Sequence, residues 1–156
     1  MADIKWGAAS AWADAMTAAN FNALANNGGI LSTGTAIDNS TNRHLWGRLS
    51  FVCLTSTWAV GAGGHLAFYL LPLAHDGTSY PNTTNGTAAT DYPGAQYWVA
   101  NIAFKQATLA HIGVSKPFLI PATLFKFYCV NRTGAALPSS ATNMTCQIET
   151  LPEAVA

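Results

Sequence analysis

Two stretches, AFYLLPL at 67–73 and LFKFYCV at 124–130, are apolar or aromatic at positions of both parities. Successive side chains of a β-strand point to opposite faces, so strands of this kind must be covered on both sides. One cover is an opposing sheet; the other is a helix or another subunit. The run NMTCQIE at 143–149 behaves differently, with Met144, Cys146 and Ile148 facing one way and Asn143, Thr145, Gln147 and Glu149 the other. That alternation leaves one wet face. Further β-type runs at 30–37, 44–57, 65–73, 96–106, 108–115 and 123–131 are separated by turn residues. Roughly seven or eight strands spaced in this way predict a mainly β, antiparallel β-sandwich over residues 30–156.

The stretch before it, WGAASAWADAMTAANFNALANNGG at 6–29, carries a different period. Alanine dominates it, and Trp12, Met16, Ala19 and Ala23 recur at steps of three and four, with Phe21 and Leu24 widening the stripe. Ser10 is placed to cap the start and Asn26-Asn27-Gly28-Gly29 to end it, which predicts an N-terminal helical arm over residues 1–29. A single helix of this length is marginal in water, so its stripe must pack on the sandwich or on a neighbour.

The chain has 156 residues, enough for one core, and its longest apolar run is cut by Pro72, far short of the roughly 20 residues of a membrane helix. Only 9 % of residues are charged, with seven Lys plus Arg against seven Asp plus Glu. A surface wetted by amides and hydroxyls loses little on being pressed against another protein. Without a basic stripe, nucleic acid is not an expected partner, and a membrane is not one either. The start, MADIKWGAASAW, has no basic segment leading into an apolar core, so synthesis in a reducing cytoplasm is expected and the five Asn-x-Ser/Thr sequons read as loop composition.

No catalytic constellation stands out. Cys53, Cys129 and Cys146 lie in apolar runs without metal-ligand spacing and read as buried thiols. The four histidines form no H-x-H pair with a carboxylate, there is no G-x-S-x-G elbow, and Gly61-Ala62-Gly63-Gly64 leads into a strand rather than a helix. Neither a metal nor a cofactor is expected, and no catalytic residue is assigned. His75-Asp76-Gly77 follows Pro72 and reads as a strand exit with a tight turn. The stretch from Ala74 to about Ala95, about 22 residues, is long for a compact domain, and within it Tyr80-Pro81 and Tyr92-Pro93 bracket a Thr/Asn tract. Aromatic rings among adaptable amides suit contact with a neighbour.

The stretches IKWGAASAW, AIDNSTNRHLWGRLSF, AFYLLPLAHDGTSYP and LFKFYCVNRTGAALPSSATNMTCQIETLPE, which cover most of the chain, resemble a family of small virion proteins of tailed bacteriophages. The resemblance implies a jelly-roll-like sandwich and a non-enzymatic capsid decoration, or cement, protein on the surface of the virion. Its implied partners are the major capsid protein and further copies of itself, as a dimer or trimer. The alternatives are a tail, neck or fibre component, or a glycan-binding module in which Tyr80, Tyr92, Tyr97 or Trp98 stacks on sugar rings. The expected interface residues are Trp6, Trp12, Met16, Phe21 and Leu24 on the arm and Tyr80 and Tyr92 on the loop. On this reading, removing the residues before Asn26 abolishes attachment and leaves the fold intact.

Overall fold

The computed structural model describes residues 4–6, 9–81, 92–139 and 142–155, with residues 4–6 and 153–155 as backbone alone. Its strands are β1 (Ile4–Trp6), β2 (Ala13–Met16), β3 (Gly29–Leu31), β4 (Ile37–Asp38), β5 (Trp46–Cys53), β6 (His65–Pro72), β7 (Trp98–Ala103), β8 (His111–Val114), β9 (Phe118–Leu119), β10 (Leu124–Arg132), β11 (Met144–Leu151) and β12 (Glu153–Val155). A single turn of helix, α1 (Ala18–Phe21), lies between β2 and β3.

Ten of the strands form two antiparallel sheets packed face to face in a sandwich-like arrangement. One has the order β2-β11-β5-β8, with β9 also pairing β5; the other has the order β3-β10-β6-β7, with β4 also pairing β10. β1 pairs with β12 in a separate two-stranded ribbon. The links from β2 to β3, β5 to β6, β7 to β8, β9 to β10 and β10 to β11 each pass from one sheet to the other, whereas β6 and β7 are neighbours within one sheet.

The core between the sheets follows from strand alternation. In β5, Leu49, Phe51 and Cys53 point inward while Trp46, Arg48, Ser50 and Val52 are partly exposed. Phe125 and Phe127 meet edge to face at 5.6 Å, and Phe51 sits 5.8 Å from Phe104. The two-sided strands β6 and β10 are covered twice, as their sequence demands. Residues of the chain itself supply their second cover, and no α-helix among the described residues takes part. Leu31, Ala67, Leu71, Tyr128 and Val130 form a second cluster on the outer face of their sheet, against which Tyr69, Tyr80, Tyr92 and Tyr97 pack.

The Ala-rich segment is not the helical arm that its composition predicts. Residues 13–16 are a strand on the edge of a sheet, and the helix is one turn long, with the Asn20 side-chain oxygen accepting from the Thr17 backbone and hydroxyl. Alanine favours helix by only tenths of a kcal/mol over its alternatives, whereas burying a large apolar side chain is worth about 1.5–3 kcal/mol. Met16, Phe21 and Leu24 are all buried in the core shared with the strands, and Phe21 meets Phe51 edge to face at 5.1 Å. Ala23 and Asn27 adopt positive φ, at 52° and 62°, which ends any helical run between them. Residues 15–24 therefore share the core of the sandwich.

Asn131, fully buried at the end of β10, ties this segment down. Its amide nitrogen donates to the carbonyls of Leu24 (2.9 Å) and Ala135 (2.8 Å), and its oxygen accepts from the Thr133 backbone (3.0 Å) and hydroxyl (2.7 Å). At the exit of β6, Asp76 accepts from the backbone N–H groups of Thr78 and Ser79, and Gly77 has φ +73°. That pair is a turn, and hydrogen bonds from the Ser79 side chain and backbone, with the Thr78 backbone, hold the Asp76 carboxyl down at about 2.

Candidate interaction surface

The residues expected to make contacts fall into three groups. Met16, Phe21 and Leu24 are at most 3 % exposed, so they support the chain's own core and present no surface. That is a correction of their expected role, and its cause is the crossing from β2 to β3, which plugs one side of the sandwich. Trp12 is 37 % exposed, with the Arg48 guanidinium 5.5 Å over its ring, and Arg48 in turn bridges to Glu149 at 2.5 Å. The backbone of Trp6 pairs with Glu153 in the terminal ribbon. Tyr80 and Tyr92 lie half-buried on the outer face of the β3-β10-β6-β7 sheet. Lys126 Nζ stands 5.4 Å over the Tyr80 ring; the Tyr92 hydroxyl donates to the Asn27 carbonyl (2.6 Å), and Arg132 covers its ring at 4.7 Å. Burial raises the Tyr80 phenol above its ordinary value. The stretch between these tyrosines, residues 82–91, lies outside the described residues.

A group of exposed apolar side chains lies on the side where β7 and β8 are the edge strands of their sheets. Ile112, Val114 and Leu119 are 69 %, 53 % and 58 % exposed, and Trp98 is half exposed. Register places Ile112 beside Val52, Val114 beside Ser50 and Leu119 beside Trp46, all on the outward face of one sheet. Across that face the chemistry changes. Its β2 and β11 half carries Asp14, Gln147 and Glu149, with Gln147 donating to Asp14 (3.3 Å), and its β8 and β9 half is aliphatic. Between the β7 edge and the end of β8 runs a groove of about 640 Å³ lined by Trp98, Asn101, Ala103, Val114, Lys116 and Pro117. The Trp98 indole donates to Asn101 Oδ1 at 3.0 Å.

Strand β8 is inside out relative to the usual pattern. His111 and Gly113 face inward, and His111 is buried with its ring edge to face with Trp58 (5.0 Å) and Phe104 (5.5 Å). A Cβ on Gly113 would stand 2.3 Å from Ile102 Cγ2. Only glycine fits that crossing, and because side chains alternate, the position of Gly113 forces Ile112 and Val114 outward. The sequence carried the signal, an alternation of His and Gly with Ile and Val, but which pair faces out depends on the Ile102 contact.

Among the described residues no group of three His, Cys, Asp or Glu side chains is placed to hold a metal ion, and no helix is long and apolar enough to cross a membrane. The three cysteines are free and buried; burial first, then the neighbouring Cys146, raises the Cys129 thiol, and burial first, then Asp14, raises Cys146. Such thiols are inert as nucleophiles. No protein-family model matches the chain, and neither a curated protein nor a solved structure is significantly similar to it.

Proposed function

We propose that the protein is a non-enzymatic structural component of a tailed-bacteriophage virion, a capsid decoration protein that binds the outer shell after synthesis in the host cytoplasm. The observation that carries the reading is the aliphatic half-face formed by Ile112, Val114 and Leu119 on a chain with only 9 % charged residues. Such a face has little desolvation to overcome on docking, and removing its aliphatic surface from water favours association. The strand orders β2-β11-β5-β8 and β3-β10-β6-β7, with sheet-to-sheet crossings on either side of the β6–β7 neighbours, support reading the sandwich as a jelly roll. That is also the fold implied by the resemblance to small virion proteins. The implied partners are the major capsid protein and further copies of this chain.

The test is co-sedimentation of the purified protein with shells lacking it. Saturable binding at hundreds of copies per particle supports the reading, and a stoichiometry of about a dozen assigns the protein instead to a neck or tail ring of low symmetry. Failure to bind shells at all refutes it.

One observation favours a second reading, a glycan-binding module: Trp98 stands half exposed in a groove with its indole fixed by Asn101, and a ring beside an amide is the pairing that stacks on and hydrogen-bonds a sugar. Specific binding on a glycan array that is lost on Trp98→Ala would establish it.

A further inference from the structure

The two sides of the sandwich are finished differently. On one, residues 17–28 cross from β2 to β3 and drive Phe21 and Leu24 between the sheets. On the other, β8 pairs only with β5, and among the described strands none pairs with its outer edge. The Ser115 N–H donates to the Leu49 carbonyl (2.8 Å), which fixes the ladder. By the alternation of antiparallel pairing, the backbone groups of His111 and Gly113 then point to β5, and those of Ile112 and Val114 point away from it. An edge with free N–H and C=O groups and β-branched aliphatic side chains is a template for strand pairing.

We propose that β8 is the contact of a two-fold dimer, in which it pairs antiparallel with β8 of a second copy so that Ile112 lies opposite the partner's Val114. The two outer sheets then run on as one. Gly113 meets the partner's Gly113 on the axis, at a position where opposed side chains come closest and glycine has none. Each Ile112–Val114 pair closes two backbone hydrogen bonds and sets two β-branched side chains side by side.

Several features select a second copy as the occupant. An isologous contact requires a self-complementary patch, and among the described residues lining the groove beside β8 the only charged one is Lys116. In the proposed register Lys116 lies six residues along the strand direction from the partner's Lys116, about 20 Å away, where salt screens the repulsion. The exposed parts of Ile112, Val114, Leu119 and Trp98 come to roughly half of the ~800 Å² per partner of a standard interface, with strand edges and groove walls to supply the rest. That is a small interface, so a weak, concentration-dependent dimer is expected. The inference does not depend on the particle to which the protein belongs.

Sedimentation velocity on the full chain, from ~1 µM to ~500 µM, tests it and is expected to show a monomer–dimer equilibrium. Ile112→Pro removes an N–H that points away from β5, at an edge strand where proline is tolerated, and Val114→Lys places a charge in the contact. Each is expected to keep the parent's circular dichroism and thermal midpoint while weakening the dimer at least ~100-fold. A parent that stays monomeric throughout, a trimer, or a dimer that survives both substitutions overturns the proposal. The outcome separates from that of shell binding: a monomer that still co-sediments with shells refutes the β8 contact alone, and a β8 dimer that ignores shells refutes only the decoration role.

Discussion

Replacing Phe21 by alanine separates a docking arm from a structural one. If residues 1–29 served mainly to reach a partner, this change would weaken attachment and leave the fold almost untouched. The structure demands the opposite. Phe21 has no exposed surface, sits between the sheets and meets Phe51 edge to face at 5.1 Å and 68°. Truncating a buried phenylalanine destabilises by about 3–5 kcal/mol, and the ring pair adds to the loss, so about 4 kcal/mol is expected. With a urea dependence of about 2 kcal/mol per molar, the unfolding midpoint falls by about 2 M. Trp12→Ala is the control: that ring is partly exposed and its main contact is the Arg48 guanidinium, which gives a change below about 1 kcal/mol. Urea unfolding followed by tryptophan fluorescence, or by circular dichroism for the Trp12 variant, measures both. A midpoint shift for Phe21→Ala of under ~0.5 M would refute the reasoning. So would a stably folded protein lacking the residues before Asn26, since that deletion removes Met16, Phe21 and Leu24 together from a domain whose total stability is of order 5–15 kcal/mol.

Asn131→Asp keeps the bonds that the side-chain oxygen accepts from Thr133 but replaces the donations to the Leu24 and Ala135 carbonyls by repulsion. A loss of about 3 kcal/mol, seen as a thermal midpoint lowered by roughly 6–12 °C, is expected, and an unchanged midpoint would contradict the clasp. Alkaline pH tests the buried thiols. Burial raises Cys129 and Cys146 above their ordinary 9.0, so above about that pH the folded chain retains protons that the unfolded chain has released, and stability falls as pH rises. Each thiol contributes up to about 1.4 kcal/mol per pH unit; urea midpoints that do not fall between about pH 9 and about pH 10 would contradict their burial.

Most of the sandwich was legible because strand periodicity is local. The runs at 44–57, 65–73, 96–106, 108–115 and 143–151 contain β5, β6, β7, β8 and β11, the run at 123–131 holds all of β10 but Arg132, and the two-sided apolarity of β6 and β10 foretold their double cover. What failed was non-local. The run at 30–37 is interrupted between β3 and β4. Residues 13–16 lie in a segment whose Trp12, Met16, Ala19 and Ala23 recur at helical steps, yet pair with β11 because Met16 and Phe21 gain more from the core than alanine gains from a helix. Tyr80 and Tyr92 were expected to anchor a contact with a neighbour, and their described contacts are with the chain's own residues Lys126, Asn27 and Arg132. The apolar outer face was invisible for a related reason: whether HIGV buries its aliphatics depends on Ile102 lying under Gly113.

That dependence bears on why the β8 edge is open. The β2 edge of the same sheet carries Asp14 and lies against a register shift at Cys146 and Gln147, two devices that discourage a further strand. The β7 edge is bent by a shift at Phe68 and Tyr69. β8 has neither a charge nor a shift, yet Lys116 and Pro117 follow it closely and cap its pairing at four residues. An edge guarded at its end and left bare along its length does not template open-ended growth. It admits one short strand and then stops, which is the requirement of a closed two-fold contact, and the exposure of Ile112 and Val114 is the consequence of holding Gly113 against Ile102 while that contact is kept available.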